Sequence, residues 1–216
     1  MIEYMTKGNC YLCGAEISKQ AFRRHLETRH GSAADGQECI LLKVESVDQK
    51  VYWLYLDMPA SAALKALDRF LRNIWLECCG HESAFFTGKY TQVSKSTKIG
   101  ELRQGSTLRY EYDFGSTTEL RITVSGVDTR PKQRSLVRLL GRNTPPHIPC
   151  GRCGKDADWV CCECEWKEEY PYFCEDCMDR HPHDTVLPVV NSPRMGVCGY
   201  CGEDDVYTFD LSRFSK

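Results

Sequence analysis

The pair C-x2-C recurs five times in this chain of 216 residues: Cys10 and Cys13, Cys150 and Cys153, Cys161 and Cys164, Cys174 and Cys177, Cys198 and Cys201. Two thiols at that spacing fold into a knuckle and supply half of a tetrahedral metal site. Disulfides are the rival use for the 14 cysteines. The polar N-terminus, residues 1–8, has no apolar stretch of the signal-peptide kind, which predicts a cytoplasmic chain. In that compartment cysteine pairs argue for metal. No apolar run approaches the ~20 residues a membrane span needs, so no membrane partner is expected. A net charge of -2 with 42% hydrophobic residues excludes a disordered chain and a uniformly basic nucleic-acid binder.

Charge and cysteines divide the chain into three modules. Residues 1–31 carry a net +2, residues 32–149 a net +3 and residues 150–216 a net -7. Gly31-Ser32-Ala33-Ala34-Asp35-Gly36 reads as a flexible connector. Asn143-Thr144-Pro145-Pro146-His147-Ile148-Pro149 reads as a proline-rich one. The expected units are a zinc finger at 1–31, an α+β domain at 38–148 and a cysteine-rich multi-zinc domain at 149–216.

In the first unit, Cys10 and Cys13 are followed by His25 and His30. A knuckle gives one ligand pair, two histidines about one helical turn apart give the other, and Ile17 and Phe22 supply a small apolar core. This resembles the two-Cys two-His zinc finger, with the middle spacer one residue short. Its helix, about Ser18 to Arg29, carries Lys19, Arg23 and Arg24, which suit phosphates or guanine edges of DNA or RNA. A solvated basic face or a protein-binding finger fits the same residues.

The second unit alternates like a sheet. Val51, Trp53 and Tyr55 face one way and Tyr52, Leu54 and Leu56 the other, as in a strand covered on both faces. Leu64, Leu67, Leu71, Ile74 and Cys78 recur at helical spacing. Leu108, Tyr110, Tyr112 and Phe114 alternate with polar residues, as do Leu120, Ile122 and Val124, around a turn at Gly115-Ser116-Thr117. A further strand is expected at about Ser135 to Leu140. The result is an α+β class: a mostly antiparallel sheet with a packed helix, flanked by a small ββα finger and a zinc-stabilised C-terminal module.

The segment Tyr110-Glu111-Tyr112-Asp113-Phe114-Gly115-Ser116 resembles the Y-D-F-G stretch of the Ri-plasmid ORF-three-like (pRiA-type) family, met also as a passenger of some insertion elements. Leu67-Asp68-Arg69-Phe70-Leu71 and the exit Arg142-Asn143-x-Pro145-Pro146 are compatible with it over roughly residues 38–148. The resemblance implies a fold and a mobile-element association, and no reaction. Ser116-Thr117-Thr118-Glu119 departs from the family's acidic Gly-Trp continuation. The same Asp113-Phe114-Gly115 is no kinase motif, since no Gly-rich loop or catalytic loop accompanies it.

In the third unit, Cys150, Cys153, Cys161, Cys164, Cys174, Cys177, His181 and His183 make eight ligands, enough for two closed zinc sites. The order suggests a cross-brace, with Cys150, Cys153, Cys174 and Cys177 on one ion and Cys161, Cys164, His181 and His183 on the other. It resembles B-box and ZZ-type modules; a sequential pairing also satisfies the count. Cys39, Cys78 and Cys162 need no ligand role. Cys198 and Cys201 lack partners in this module. They are free thiols, they swap with other ligands within the tail, or they join Cys79 and His81 from the central unit in a further site. Three zinc ions are therefore expected, with room for a fourth.

The leading reading is a zinc-binding adaptor or regulatory protein. Its finger, with Arg130, Lys132, Arg134, Arg138 and Arg142, would face nucleic acid. Its acidic tail, holding Glu163, Glu165, Glu168, Glu169, Glu175, Asp176 and Asp179, would face a basic peptide or protein. An enzyme using Cys79 with His81, or a metal held there, is the alternative. A structural subunit of a larger assembly is the third. No catalytic residue is assigned.

Overall fold

The computed structural model describes residues 6–132, 134–202 and 205–214; the start of the polar N-terminal stretch, residues 1–5, lies outside them. The strands are β1 (Lys7–Cys10), β2 (Glu16–Ser18), β3 (Gln37–Ser46), β4 (Trp53–Pro59), β5 (Ser83–Thr87), β6 (Thr91–Val93), β7 (Thr107–Tyr112), β8 (Thr118–Arg130) and β9 (Arg138–Asn143). They form one nine-stranded sheet in the order β2-β1-β9-β4-β3-β8-β7-β5-β6. Every pairing in it is antiparallel. The α+β class with a mostly antiparallel sheet and few helices is what the alternation predicted. The finger's hairpin is part of this sheet, since β1 pairs with β9 through Gly8–Asn143, Asn9–Arg142 and Cys10–Gly141.

Helix α1 (Lys19–Arg29) starts at Ser18, whose hydroxyl accepts from the Ala21 N–H, one of the donors a helix leaves unpaired in its first turn. Helix α2 (Leu64–Leu71) runs on into a wider turn at Arg72–Leu76. The two helices lie on opposite faces of the sheet, which is why β4 is buried along its whole length. On one face Tyr52, Leu54 and Leu56 meet Leu64, Leu67, Leu71, Ile74 and Trp75. On the other Trp53 and Tyr55 meet Phe22 and Leu26. The Phe22 ring stacks on Tyr55 at 5.0 Å and sits edge-on to Trp53 at 5.2 Å. Gly141 lets it in: a methyl there would overlap the ring.

Two expectations shift. Phe114 does not continue the buried row of β7 and is 55% exposed. Asp113 takes a left-handed backbone with φ 62°, which breaks the two-residue period and turns its own carboxylate inward. The strand expected at Ser135–Leu140 lies at Arg138–Asn143. Pairing with both β4 and β1 extends it into the stretch read as linker. Cys39 is buried in β3, with burial pushing its thiol up to about 11.

The C-terminal region forms a second sheet from β10 (Trp159–Cys161), β11 (Tyr172–Phe173) and β12 (Val186–Pro188), with β10 central. Two short helices accompany it, α3 (Cys162–Trp166) and α4 (Glu175–Met178). Its core is Phe173 among cysteines.

Candidate metal centres

Four groups of cysteine and histidine donors converge, each with all ligand atoms within 4.8 Å of one another. A tetrahedral zinc, with bonds of about 2.3 Å to sulfur and about 2.05 Å to nitrogen, sets donor separations of roughly 3.8 Å for S–S, roughly 3.6 Å for S–N and roughly 3.3 Å for N–N. Disulfides would need sulfurs at about 2.05 Å, and every cysteine is free.

The first group is Cys10, Cys13, His25 and His30. Cys10 Sγ lies 3.5 Å from His30 Nε2, and Cys13 Sγ lies 3.5 Å from His25 Nε2. The knuckle is shaped by Gly14, at φ 78°, whose N–H donates to the Cys10 carbonyl at 2.8 Å. Burial lowers the pKa of both imidazoles, and nearby cations add to it. That favours neutral imidazole, the ligating form. Burial raises the Cys10 thiol to about 11.

The C-terminal region holds two groups, interleaved along the chain. Cys150, Cys153, Cys174 and Cys177 converge in one, with 3.5 Å between the Cys153 and Cys174 sulfurs. Gly154, at φ 74°, repeats the knuckle turn seen at Gly14, its N–H donating to the Cys150 carbonyl at 2.9 Å. Burial pushes Cys150 upward, but N–H groups of Cys174, Arg152 and Cys153 outweigh it and bring the thiol down to about 6. The other group is Cys161, Cys164, His181 and His183. Cys164 Sγ lies 3.2 Å from His181 Nε2, and Cys161 Sγ lies 3.4 Å from His183 Nδ1. The two imidazole nitrogens are 3.1 Å apart. Cys162 stays out, its Sγ turned to the Gly196 carbonyl.

The fourth group unites distant parts of the chain: Cys78, Cys79, His81 and Cys198. Cys79 Sγ lies 3.0 Å from His81 Nε2, 3.6 Å from Cys198 Sγ and 3.7 Å from Cys78 Sγ, and His81 Nε2 lies 3.2 Å from Cys198 Sγ. Cys78, read from sequence as needing no ligand, occupies the fourth position. Cys201 lies outside the group, its thiol donating to the Gly199 carbonyl. The reason is local: Cys198 itself has φ 51°, so this knuckle does not repeat the turn of the first two.

Behind this group stands Arg194, fully buried. Its guanidinium donates to Asp113 Oδ2 at 2.6 Å, to the Ser116 carbonyl and to Thr118 Oγ1, and it reaches Cys78 Sγ at 3.6 Å. It also lies over the Tyr112 ring. Asp113 is held below the usual carboxylate range: burial opposes this, and the Arg194 hydrogen bond with the Gly115 and Ser116 N–H groups overcomes it. No sequence signal marked Arg194, a lone cation between proline and methionine.

The basic residues separate. Lys19 is tied to Glu45 at 2.7 Å and to the Lys50 carbonyl. Arg23 pairs with Glu27 at 2.8 Å on the solvent face of α1. Arg24 is exposed and makes no ion pair among the described residues. Arg130 and Arg138 hold Asp128 and Asp57. Arg142 is buried and donates to the Asn191 carbonyl. Lys132 and Arg134 are exposed.

No protein-family profile matches the sequence, and no curated protein matches it. Among solved structures, it is similar to a protein of unknown function from Methanosarcina mazei Go1, with 13% identity and a TM-score of 0.42, over 56% of this chain and 76% of that one.

Proposed function

We propose that the chain is a zinc-stabilised adaptor, with a nucleic-acid-facing finger at one end and a protein-facing acidic module at the other. The observation that carries this is charge placed beside donor groups that could hold metal. The exposed face of α1 presents Arg23, Arg24 and Arg29 with Glu27 as its carboxylate, while residues 150–216 carry a net -7. Cations at that density suit phosphate, and the acidic region suits a basic peptide or protein surface. The division into units at 1–31, 38–148 and 149–216, the Ri-plasmid ORF-three-like identity of the middle one, its mobile-element association and the cytoplasmic setting belong to the same proposal.

The alternative enzyme reading places chemistry at Cys79 and His81. Four donors surround that position, and a four-coordinate zinc there would keep no open site for substrate. This favours binding over catalysis.

Fluorescence anisotropy with short DNA and RNA duplexes, run across salt concentrations, tests the finger. Binding should weaken steeply with salt, and Arg23→Ala with Arg24→Ala should lower the log–log salt slope by about 2. Salt-independent binding, or an unchanged slope in the double variant, would remove the finger from the proposal.

A further inference from the structure

Three of the donor groups close within short stretches of chain. The fourth does not: Cys79 and Cys198 are 119 positions apart. It also differs in exposure. Each other group includes a buried cysteine, whereas here Cys79 and Cys198 are exposed and Cys78 and His81 half-buried.

The chain around Cys198 is seated on the central unit. Ser192 Oγ donates to the Trp75 carbonyl at 2.7 Å, and the Tyr200 hydroxyl donates to the Ile74 carbonyl at 3.4 Å. Arg194 is locked between these two contacts. Further on, Tyr207 packs edge-on against Phe70 of α2 at 5.3 Å. The Tyr11 hydroxyl donates to the Tyr207 carbonyl at 2.8 Å, and Phe209 packs against the Tyr11 ring at 5.2 Å. Phe214 covers Gly14, the glycine of the finger's knuckle. Residues 205–214 thus form a strap from the central unit to the N-terminal finger. The strap is two short turns with mostly exposed side chains, so it has little apolar burial of its own to hold it.

We infer that Cys78, Cys79, His81 and Cys198 bind a zinc ion that locks this strap against the finger. Three thiolates and one imidazole suit zinc, and the S–S separations of 3.6 and 3.7 Å approach the tetrahedral edge. The left-handed Cys198 backbone, uncommon for a residue with a side chain, turns its sulfur toward the other three donors. Because no buried sulfur protects it, this ion is the most exchangeable of the four. Its loss frees residues 205–214 while the other three sites keep their metal. The inference rests on the donor groups being metal sites and is independent of any nucleic-acid or peptide binding.

Native mass spectrometry of the zinc-loaded full chain, with hydrogen exchange on the same sample, tests it. Four ions are expected in the parent chain and three in Cys198→Ser, with exchange in residues 205–214 at least about tenfold faster and the finger unchanged. If Cys198→Ser does not fold, stepwise chelation of the parent chain gives the same reading, with the first ion lost and the strap freed together. Three ions in the parent chain would overturn this lock and leave the other sites standing. No bound ions would overturn both. A fourth ion whose loss leaves strap exchange unchanged would overturn the lock alone.

Discussion

The central sheet and the C-terminal region solve the same problem with different materials. The sheet buries Leu, Ile, Val and aromatic side chains on both faces, and its cohesion comes from removing apolar surface from water. The C-terminal region has Phe173 ringed by Cys150, Cys161, Cys164 and Cys174. A unit that small cannot bury enough apolar area to fold by that means alone. Its cysteines and histidines form two groups that could hold metal, and coordination bonds there would convert metal affinity into folding free energy. The finger lies between the two: it has a donor group of its own, yet Phe22 and Leu26 also pack on the sheet.

Chelation should expose this contrast most strongly. A structural zinc site contributes on the order of 10–16 kcal/mol at neutral pH. Strong chelation should therefore unfold residues 150–188 while amide protection in β3, β4 and β8 persists. Retained protection in β10–β12 would show that the cysteines are not its cohesive element.

Phe22→Ala asks whether the finger and the sheet share one core. Removing that ring should lower stability by about 3–5 kcal/mol and shift the unfolding midpoint reported by the central sheet. A shift confined to the finger would separate the two. Arg194→Met leaves the Asp113 carboxylate buried without its cation, which costs about 3–5 kcal/mol. Asp113→Asn added to that variant should cost much less than in the parent chain, since the two act as a pair.

Acid should separate the regions by pH. The imidazoles of His25, His30 and His181 have pKa values lowered from 6.5, chiefly by burial. The unfolded chain then takes up protons that the folded chain refuses. Their contribution is present above about pH 6.5 and falls as pH drops from there toward each folded value, by up to about 1.4 kcal/mol per pH unit per group. The carboxylates of Glu45 and Asp113 act in the same direction but at lower pH. Their lowered folded values give stability that is present above 4.5 and 3.8 and is lost only below. The regions that carry these histidines should therefore loosen before the sheet in a pH titration of the metal-free chain followed by NMR; simultaneous loss would contradict the division. The smallest effect is expected from Arg24→Ala, which should move the thermal midpoint by less than about 0.5 kcal/mol equivalent.

Much of this was legible in one dimension. A knuckle needs only local spacing, so Cys10 and Cys13, or Cys150 and Cys153, announce themselves. Strand alternation reported that β4 is covered on both faces, because side chains on a strand point alternately. Phe114 departs from the alternation because one left-handed residue, Asp113, resets it, and nothing in the letters Asp-Phe-Gly marks that residue. Strand β9 runs later than its letters suggest because the Pro-rich stretch hides a residue, Asn143, that pairing recruits.

The sequence by itself determined the sulfur and imidazole inventory, the amphipathic strands and the uneven charge, all properties of neighbours in the chain. Only the tertiary structure decided which donors meet. Cys78 rather than Cys201 joins Cys79, His81 and Cys198, and Arg194 disappears into the interior beside Asp113. Those choices depend on separations of several tens of residues and more. They are set by how the sheet closes and where the C-terminal segment docks, and local spacing carries no record of either.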